Sequence, residues 1–233
     1  MRTREEQEAI NKACKNHPET WDELKELVND KRINLGNVDT SQITDMGFLF
    51  RSSERTNFTG IDKWDVGNVT DMCGMFNGIN DFNQPLNDWN VSKVKDMTHM
   101  FACCHDFNQP LKEWNISSLE SMFGMFSGCE NFNQDISSWD VANVKDMRWM
   151  FAGCKKFNQS LNAWSVREDC DCSYAFCGSN LSLENIKEAF TKEQFLNCGS
   201  EKIIEALNNE KERVEVQKVT VKQGRGRKLC KLL

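Results

Sequence analysis

A fixed 25-residue period through the middle of the chain constrains the fold more than any other feature. Tryptophan keeps this interval at Trp64, Trp89, Trp114, Trp139 and Trp164. Phenylalanine keeps it at Phe82, Phe107, Phe132 and Phe157, and methionine at Met75, Met100, Met125 and Met150. A period of this length is typical of repeat proteins in which each repeat is one coil that buries its apolar side only against its neighbours. The period therefore predicts a solenoid.

One complete unit runs from Phe82 to Asp106. Neither a strand period nor a helix period explains all of its apolar positions, so a coil built from short pieces fits best. The alternation around Trp89 predicts a strand within 86–91, and such strands would stack into a parallel sheet. Asp96 is a good N-cap, and it predicts a helical turn over 96–101. The unit is thus predicted to be an α/β repeat with a parallel sheet on one face.

Helical signals flank the repeats and suggest a cap at each end. Thr20 and Glu23 form a capping-box motif, and so do Thr191 and Gln194. A further helical pattern covers 200–210. We expect an N-terminal helical cap over 1–31, about six 25-residue coils over 32–181, a C-terminal helical cap over 182–213 and a basic tail over 214–233. The first coil, at an offset of 26, and the last coil are degenerate, as terminal repeats usually are.

The charge is unevenly distributed along the chain. The formal net charge is −6, yet residues 211–233 hold eight Lys or Arg against two Glu, a net of +6. The rest of the chain is strongly acidic and has no basic-aromatic pattern, so we expect no specific nucleic-acid partner. The basic tail predicts a weak contact with an anionic surface through residues 214–233.

The compartment is predicted from the first residues and the cysteines. The start of the chain is charged and has no apolar segment of the secretory type, which favours a cytoplasmic location. A location at the cell surface, or export by a non-classical route, is the alternative. No run of apolar residues approaches a transmembrane span. The 11 cysteines form no small-secreted-domain pattern and are expected to be reduced.

The cysteines leave several interpretations open. Three of them share one register and are predicted to be packed thiols, with a redox-dependent cross-link as the alternative: Cys104, Cys129 and Cys154. Cys170 and Cys172 fit either packing or a metal ligand pair, although one intervening residue is unusual for zinc. We predict no catalytic residue, no metal site and no cofactor. An enzyme with cysteine chemistry is the weaker alternative.

The candidate partner-binding residues fall into two groups. Seven polar residues lie between apolar strand positions and should face outward, as a solvated face or as a binding face: Asn87, Asp88, Asn90, Lys112, Glu113, Asn115 and Asp140. Phe123 and Trp149 occupy variable positions of the predicted helical turn. These two rings are expected either to contact a partner or to pack across an adjacent coil.

The consensus Phe-Asn-Gln-x-Leu-x-x-Trp-x-Val-Ser-x-Val-x-Asp-Met-x-x-Met-Phe-x-Gly-Cys resembles the repeat of the BspA-like leucine-rich-repeat surface proteins. The similarity is greatest to the 25-residue variety found in mycoplasmas and other host-associated bacteria, and it covers roughly residues 32–181. The resemblance implies a right-handed, leucine-rich-repeat-like solenoid. It also implies a surface protein linked to adhesion or host contact, and it implies no catalytic residues.

The sequence therefore favours a non-enzymatic scaffold that binds another protein, with adhesion or host contact as the role implied by the resemblance. The alternative is a peripheral structural protein that its basic tail holds to an anionic surface.

Overall fold

The computed structural model describes residues 16–51 and 53–209. Two α-helices are bounded within this part of the chain, α1 (Trp21–Asn29) and α2 (Lys192–Asn197), and residues 201–209 form a further helical run, α3. Three 3-10 helices lie at Leu35–Asn37, Ile61–Lys63 and Leu183–Asn185. Turns and irregular coil make up almost all of the rest.

The repeats form a stack of coils in register. One residue from each coil forms an isolated parallel bridge with its equivalent in the next: Asp45, Asp71, Asp96, Ser121, Asp146 and Asp171. The first step is 26 residues and the later steps are 25, so the degenerate first and last coils join the stack at the predicted offsets. The 25-residue period is therefore the step of the stack.

The predicted parallel sheet, and with it the leucine-rich-repeat-like solenoid, is wrong. Residues 16–51 and 53–209 contain isolated bridges but no strand. The segment predicted as a strand is divided by tight turns, in which Trp89 N donates to Leu86 O (3.1 Å) and Val94 N donates to Val91 O (3.0 Å). The Asn90 side chain closes another turn between them. Too little extended backbone remains for a ladder to form.

The predicted helical turn is also wrong, because its backbone N–H groups bond in two directions. Met97 N and His99 N donate to carbonyl groups of the next coil, at 3.0 and 2.8 Å, whereas Met100 N and Ala102 N close turns within their own coil. In an α-helix capped by Asp96, Met100 N and Ala102 N would donate to the carbonyl four residues earlier, but they donate to Met97 O and His99 O, three residues earlier. The Asp96 side chain nevertheless accepts Thr98 N (2.7 Å), so it caps a turn of another kind.

Aromatic rings fill the inside of the coil stack. In each complete coil two phenylalanine rings stack at 4.0–4.2 Å, as Phe126 and Phe132 do. The five tryptophans of the period are buried, and Trp139 lies parallel to Trp114 and Trp164 at 6.3 and 6.5 Å. Each indole N–H donates to a backbone carbonyl of the preceding turn of the stack. The tryptophan column is therefore the core of the protein.

Helix α1 caps the first coil by supplying the donors that a preceding coil would have supplied. Trp21 Nε1 donates to Gly47 O (2.9 Å), and Lys25 Nζ donates to Leu49 O (2.6 Å) and Arg51 O (3.1 Å). These three carbonyls have the register that accepts inter-coil bonds in later coils. Buried backbone carbonyls need such partners, so the helix completes the hydrogen bonding of the stack.

Both predicted capping boxes are present. Thr20 and Glu23 form the box at the start of α1, and Thr191 and Gln194 form the one at the start of α2. At the far end of the stack, Tyr174 N donates to Asn197 O (2.8 Å) at the end of α2. The end of α2 thus supplies an acceptor to the last coil, as α1 supplies donors to the first.

Candidate functional site

The polar residues predicted to face outward are aligned in columns. Asn90, Asn115 and Asp140 are exposed, but each side-chain oxygen accepts the backbone N–H two residues later, at 3.1–3.2 Å. Such Asx turns are local structural devices. These three side chains therefore shape the coil, whatever else they contact.

The other four polar candidates lie at the neighbouring corner of the coil. Asn87 is half-buried, and its side chain accepts Glu113 N (3.3 Å) from the next coil. Asp88, Lys112 and Glu113 are exposed. The structure thus aligns all seven polar candidates, but it sets them in a different segment of the coil from Phe123 and Trp149.

A second column runs along the inter-coil hydrogen bonds, three residues after the bridging position. Its members all have a left-handed backbone, with φ between +53° and +59°: Phe48, Gly74, His99, Gly124, Trp149 and Tyr174. We call this the turn column. Glycine adopts the conformation freely, whereas other residues pay about 1–2 kcal/mol. Four of the six positions carry a large ring in spite of that cost.

Three rings of the turn column lie over the next coil. A Cβ placed on Gly74 would come within 2.4 Å of the Phe48 ring, and one placed on Gly124 would come within 2.4 Å of the His99 ring. The Trp149 ring stacks on Tyr174, with centroids 4.6 Å apart and an interplanar angle of 18°. Glycine in two coils therefore makes room for the ring of the coil before it.

Three rings of the turn column are the large apolar side chains most exposed along the stack. Phe48 is 38% exposed, Trp149 is 40% exposed and Tyr174 is 49% exposed. Sequence reasoning singled out Trp149 but missed Phe48 and Tyr174. The signal was present, because both residues have the register of Trp149 in the two degenerate terminal coils.

Phe123 is less available than Trp149. Its ring meets the His99 ring edge-on at 4.6 Å, and the Arg148 guanidinium lies over it at 4.9 Å. It is half-buried as a result. Of the two predicted interpretations, packing across an adjacent coil describes Phe123, whereas Trp149 both packs on Tyr174 and stays exposed.

Acidic side chains line the bridging positions beside the turn column. At the C-terminal end, Arg148 pairs with Asp146 (2.6 Å) and lies 3.7 Å from Asp171. At the N-terminal end, burial and the nearby carboxylates Asp96 and Asp45 raise the pKa of Asp71. The bridging carboxylates are therefore paired with a cation at the C-terminal end of the column, whereas Asp45, Asp71 and Asp96 lie close together at the N-terminal end.

A depression of about 300 Å³ opens at the acidic end of the column. Its walls are the rings of Trp21 and Phe48 together with three carboxylates and two small residues, namely Asp45, Asp71, Asp96, Gly47 and Cys73. Rings beside carboxylates provide both an apolar contact and a negative field.

The cysteine register predicted from the sequence is a column of buried thiols. Cys104, Cys129 and Cys154 are free, and each Sγ lies 3.0–3.1 Å from a backbone carbonyl of the preceding coil, to which it donates. Burial raises the pKa of all three thiols. They are packed groups with suppressed nucleophilicity.

The second cysteine cluster borders a depression of about 200 Å³ against α2. Cys170 and Cys172 are both buried, and their Sγ atoms lie 3.9 Å apart. Within residues 16–51 and 53–209, no three His, Cys, Asp or Glu side chains are arranged to hold a metal ion.

Helices of the described part of the chain are all too short or too polar to span a bilayer. The basic segment 214–233 predicted to contact anionic surfaces lies outside the described residues, and so do residues 1–15 of the predicted N-terminal cap.

Comparison with known proteins assigns a family. Residues 22–129 and 96–189 match the family described as Mycoplasma protein of unknown function, DUF285, and together they cover more than half of the chain. The chain belongs to this family. No curated protein and no solved structure matches it significantly. Membership of DUF285 supports a repeat protein of this kind and assigns no activity to it.

Proposed function

We propose that this DUF285 member is a non-enzymatic module that binds another protein, and that the exposed pair Trp149–Tyr174 on the turn column is its main contact. The observation that carries the proposal is the stacking of two exposed rings on left-handed backbone. Large aromatic side chains that are held rigidly at a surface are the commonest hot spots of protein interfaces.

Stability alone gives a weak account of these rings. Glycine holds the same register in two coils of the same stack, without the backbone cost. The stack is held together by inter-coil hydrogen bonds and by buried rings that do not include Trp149. Because the left-handed cost of about 1–2 kcal/mol per residue offsets the stacking gain of about 0.5–1.5 kcal/mol, function explains the pair better than folding does.

Two finer roles are compatible with such a module. The resemblance to BspA-like surface proteins favours adhesion or host contact, with the partner on a host cell. The alternative of a peripheral structural protein rests on the net charge of +6 over residues 211–233 and requires no contact at the turn column. Asp88, Lys112 and Glu113 remain candidates for a second contact surface.

The test uses the full chain as bait against two sources, an extract of the source organism and solubilised surface proteins of host cells. The variant Trp149→Gly/Tyr174→Gly removes both rings and adopts a residue that the register already accepts. We expect a partner retained by the wild type to be lost from this variant, because the apolar contact is gone. Its origin, host or own cell, separates adhesion from an internal scaffold.

Leu196→Ala is the matched control, because Leu196 is an exposed apolar side chain on α2, outside the turn column. It should retain the partner fully. Equal retention by the double variant and the control would refute the proposed surface. Equal association of wild type and double variant with anionic vesicles, in the absence of any protein partner, would favour the peripheral structural role.

A further inference from the structure

The depression at the acidic end of the column exists because three consecutive coils carry small side chains at one register. Gly47, Cys73 and Thr98 stand two residues after the bridging position, where the next two coils carry Phe123 and Arg148. Those larger side chains fill the corresponding space farther along the stack. The sequence thus leaves this space open in the first three coils and fills it in the next two, and the last coil again carries a small residue, Ser173.

Arg148 shows what the filled half of the column accommodates. Its guanidinium lies 4.9 Å from the Phe123 ring, bonds Asp146 at 2.6 Å and lies 3.7 Å from Asp171. A cation over a ring, flanked by carboxylates of successive coils, combines a cation–π contact with charge-assisted hydrogen bonds. The contacts of Arg148 therefore show how a cationic side chain could bind at the open half of the column.

The carboxylates of the open half have no such cation between them, although cations of the chain itself lie over its two rings. The Arg51 guanidinium is 5.2 Å from the Phe48 ring centroid and Lys25 Nζ is 5.7 Å from the Trp21 ring centroid, and neither side chain lines the depression. Among the described residues, Asp45, Asp71 and Asp96 form no ion pair, and the lining of the depression includes no Lys or Arg. Phe48 and Trp21 provide the ring surfaces. Burial raises the pKa of the Cys73 thiol to about 11, and the charges of Asp96, Asp71 and Asp45 add to the shift. The depression is therefore complementary to a positively charged side chain.

We propose that the depression between Trp21 and Phe48, which we call the seat, binds an arginine or lysine side chain presented by a basic segment of the partner protein. This inference rests on the proposed function and names the chemistry of the partner. The guanidinium or ammonium group pairs with the carboxylates of Asp71 and Asp96, and its stem lies against the rings.

A labelled short oligo-arginine peptide, titrated against the full chain by fluorescence anisotropy, tests the seat. Asp71→Asn/Asp96→Asn removes two charges and keeps an oxygen for each turn, and we expect affinity to fall about tenfold or more. Cys73→Arg places a guanidinium in the register of Arg148, filling the seat from within, and it should weaken the peptide similarly.

The matched control is Asp62→Asn/Asp81→Asn, which removes the same charge from exposed positions elsewhere on the stack. It should bind the peptide as tightly as the wild type at physiological ionic strength. Equal weakening by the control and the seat variants would show attraction by overall charge only, and no binding to the wild type would also overturn the proposal.

Zero-length cross-linking of the full chain identifies a competing occupant. Cross-links from Asp71 or Asp96 to lysines within 211–233 would assign the seat to the chain's own basic segment and overturn its assignment to a partner. Failure of the seat is distinguishable from failure of the proposed function. In the first case a captured partner still depends on Trp149 and Tyr174, whereas in the second it is insensitive to their loss.

Discussion

Replacing Trp139 by phenylalanine tests whether the tryptophan column holds the stack together. Trp139 is 2% exposed, and its Nε1–H donates to Leu111 O at 3.0 Å. The change removes this hydrogen bond, which contributes about 0.5–1.5 kcal/mol, and it leaves a void that costs about 1 kcal/mol or more. Since Leu111 O keeps a second donor in Trp114 N, no full penalty for an unsatisfied carbonyl applies. We expect a loss of about 2–3 kcal/mol in the free energy of unfolding.

The assay is urea unfolding followed by circular dichroism, with Trp149→Phe as the matched substitution. Trp149 is 40% exposed, so the same change there should cost less than about 1 kcal/mol. In thermal unfolding followed by the same signal, Trp139→Phe should melt about 5–10 °C below the wild type, as expected for a chain of this size. Equal losses in the two variants would refute the assignment of the tryptophans to the core.

Three further predictions probe the turn column, its charge and the thiols. Gly74→Ala should destabilise the protein more than Gly78→Ala in the same unfolding assay, because both backbones are left-handed but only the first Cβ would strike a phenyl ring, at 2.4 Å; equal losses would contradict the ring placement. Asp71→Asn should stabilise the protein at neutral pH. The folded-state pKa of Asp71 is raised above its ordinary value of 3.8, so the ionised carboxylate costs stability above the folded pKa. The gain should therefore fade as the pH falls through the folded pKa and should be absent below 3.8. A gain of the same size at all pH values would contradict this sign. In native alkylation followed by mass spectrometry, exposed Cys103 should react well before buried Cys129, and simultaneous modification would show that the thiol column is open.

The period predicted the stack and its interior because burial follows directly from side-chain type. Trp139, Phe126 and Cys129 are buried as expected from their register. Columns of Asn and Gln, such as Asn133 and Gln159, also keep the period and bond from coil to coil. Apolar side chains that recur in phase are buried together on the inner side of the coils, so this part of the fold could be derived from the sequence.

The local conformation could not be derived in the same way, because it depends on where backbone N–H groups find acceptors. His99 N donates to the next coil, and this choice between a neighbouring coil and the local helix leaves no periodic signal. The left-handed backbone could not be predicted either, because Phe48 and Trp149 are residue types that rarely adopt it. The binding surface was partly missed for a simpler reason, namely that the register of Trp149 was not extended to Phe48 and Tyr174.

Photo-cross-linking from the turn column tests the central claim most directly. A benzoylphenylalanine introduced at Tyr174 should capture the partner, because this ring lies exposed in the proposed contact. The same photo-reactive residue at Lys112, which is exposed in the polar columns, should give little or no adduct. Capture from position 112 with none from position 174 would contradict the account and return the binding surface to the polar face.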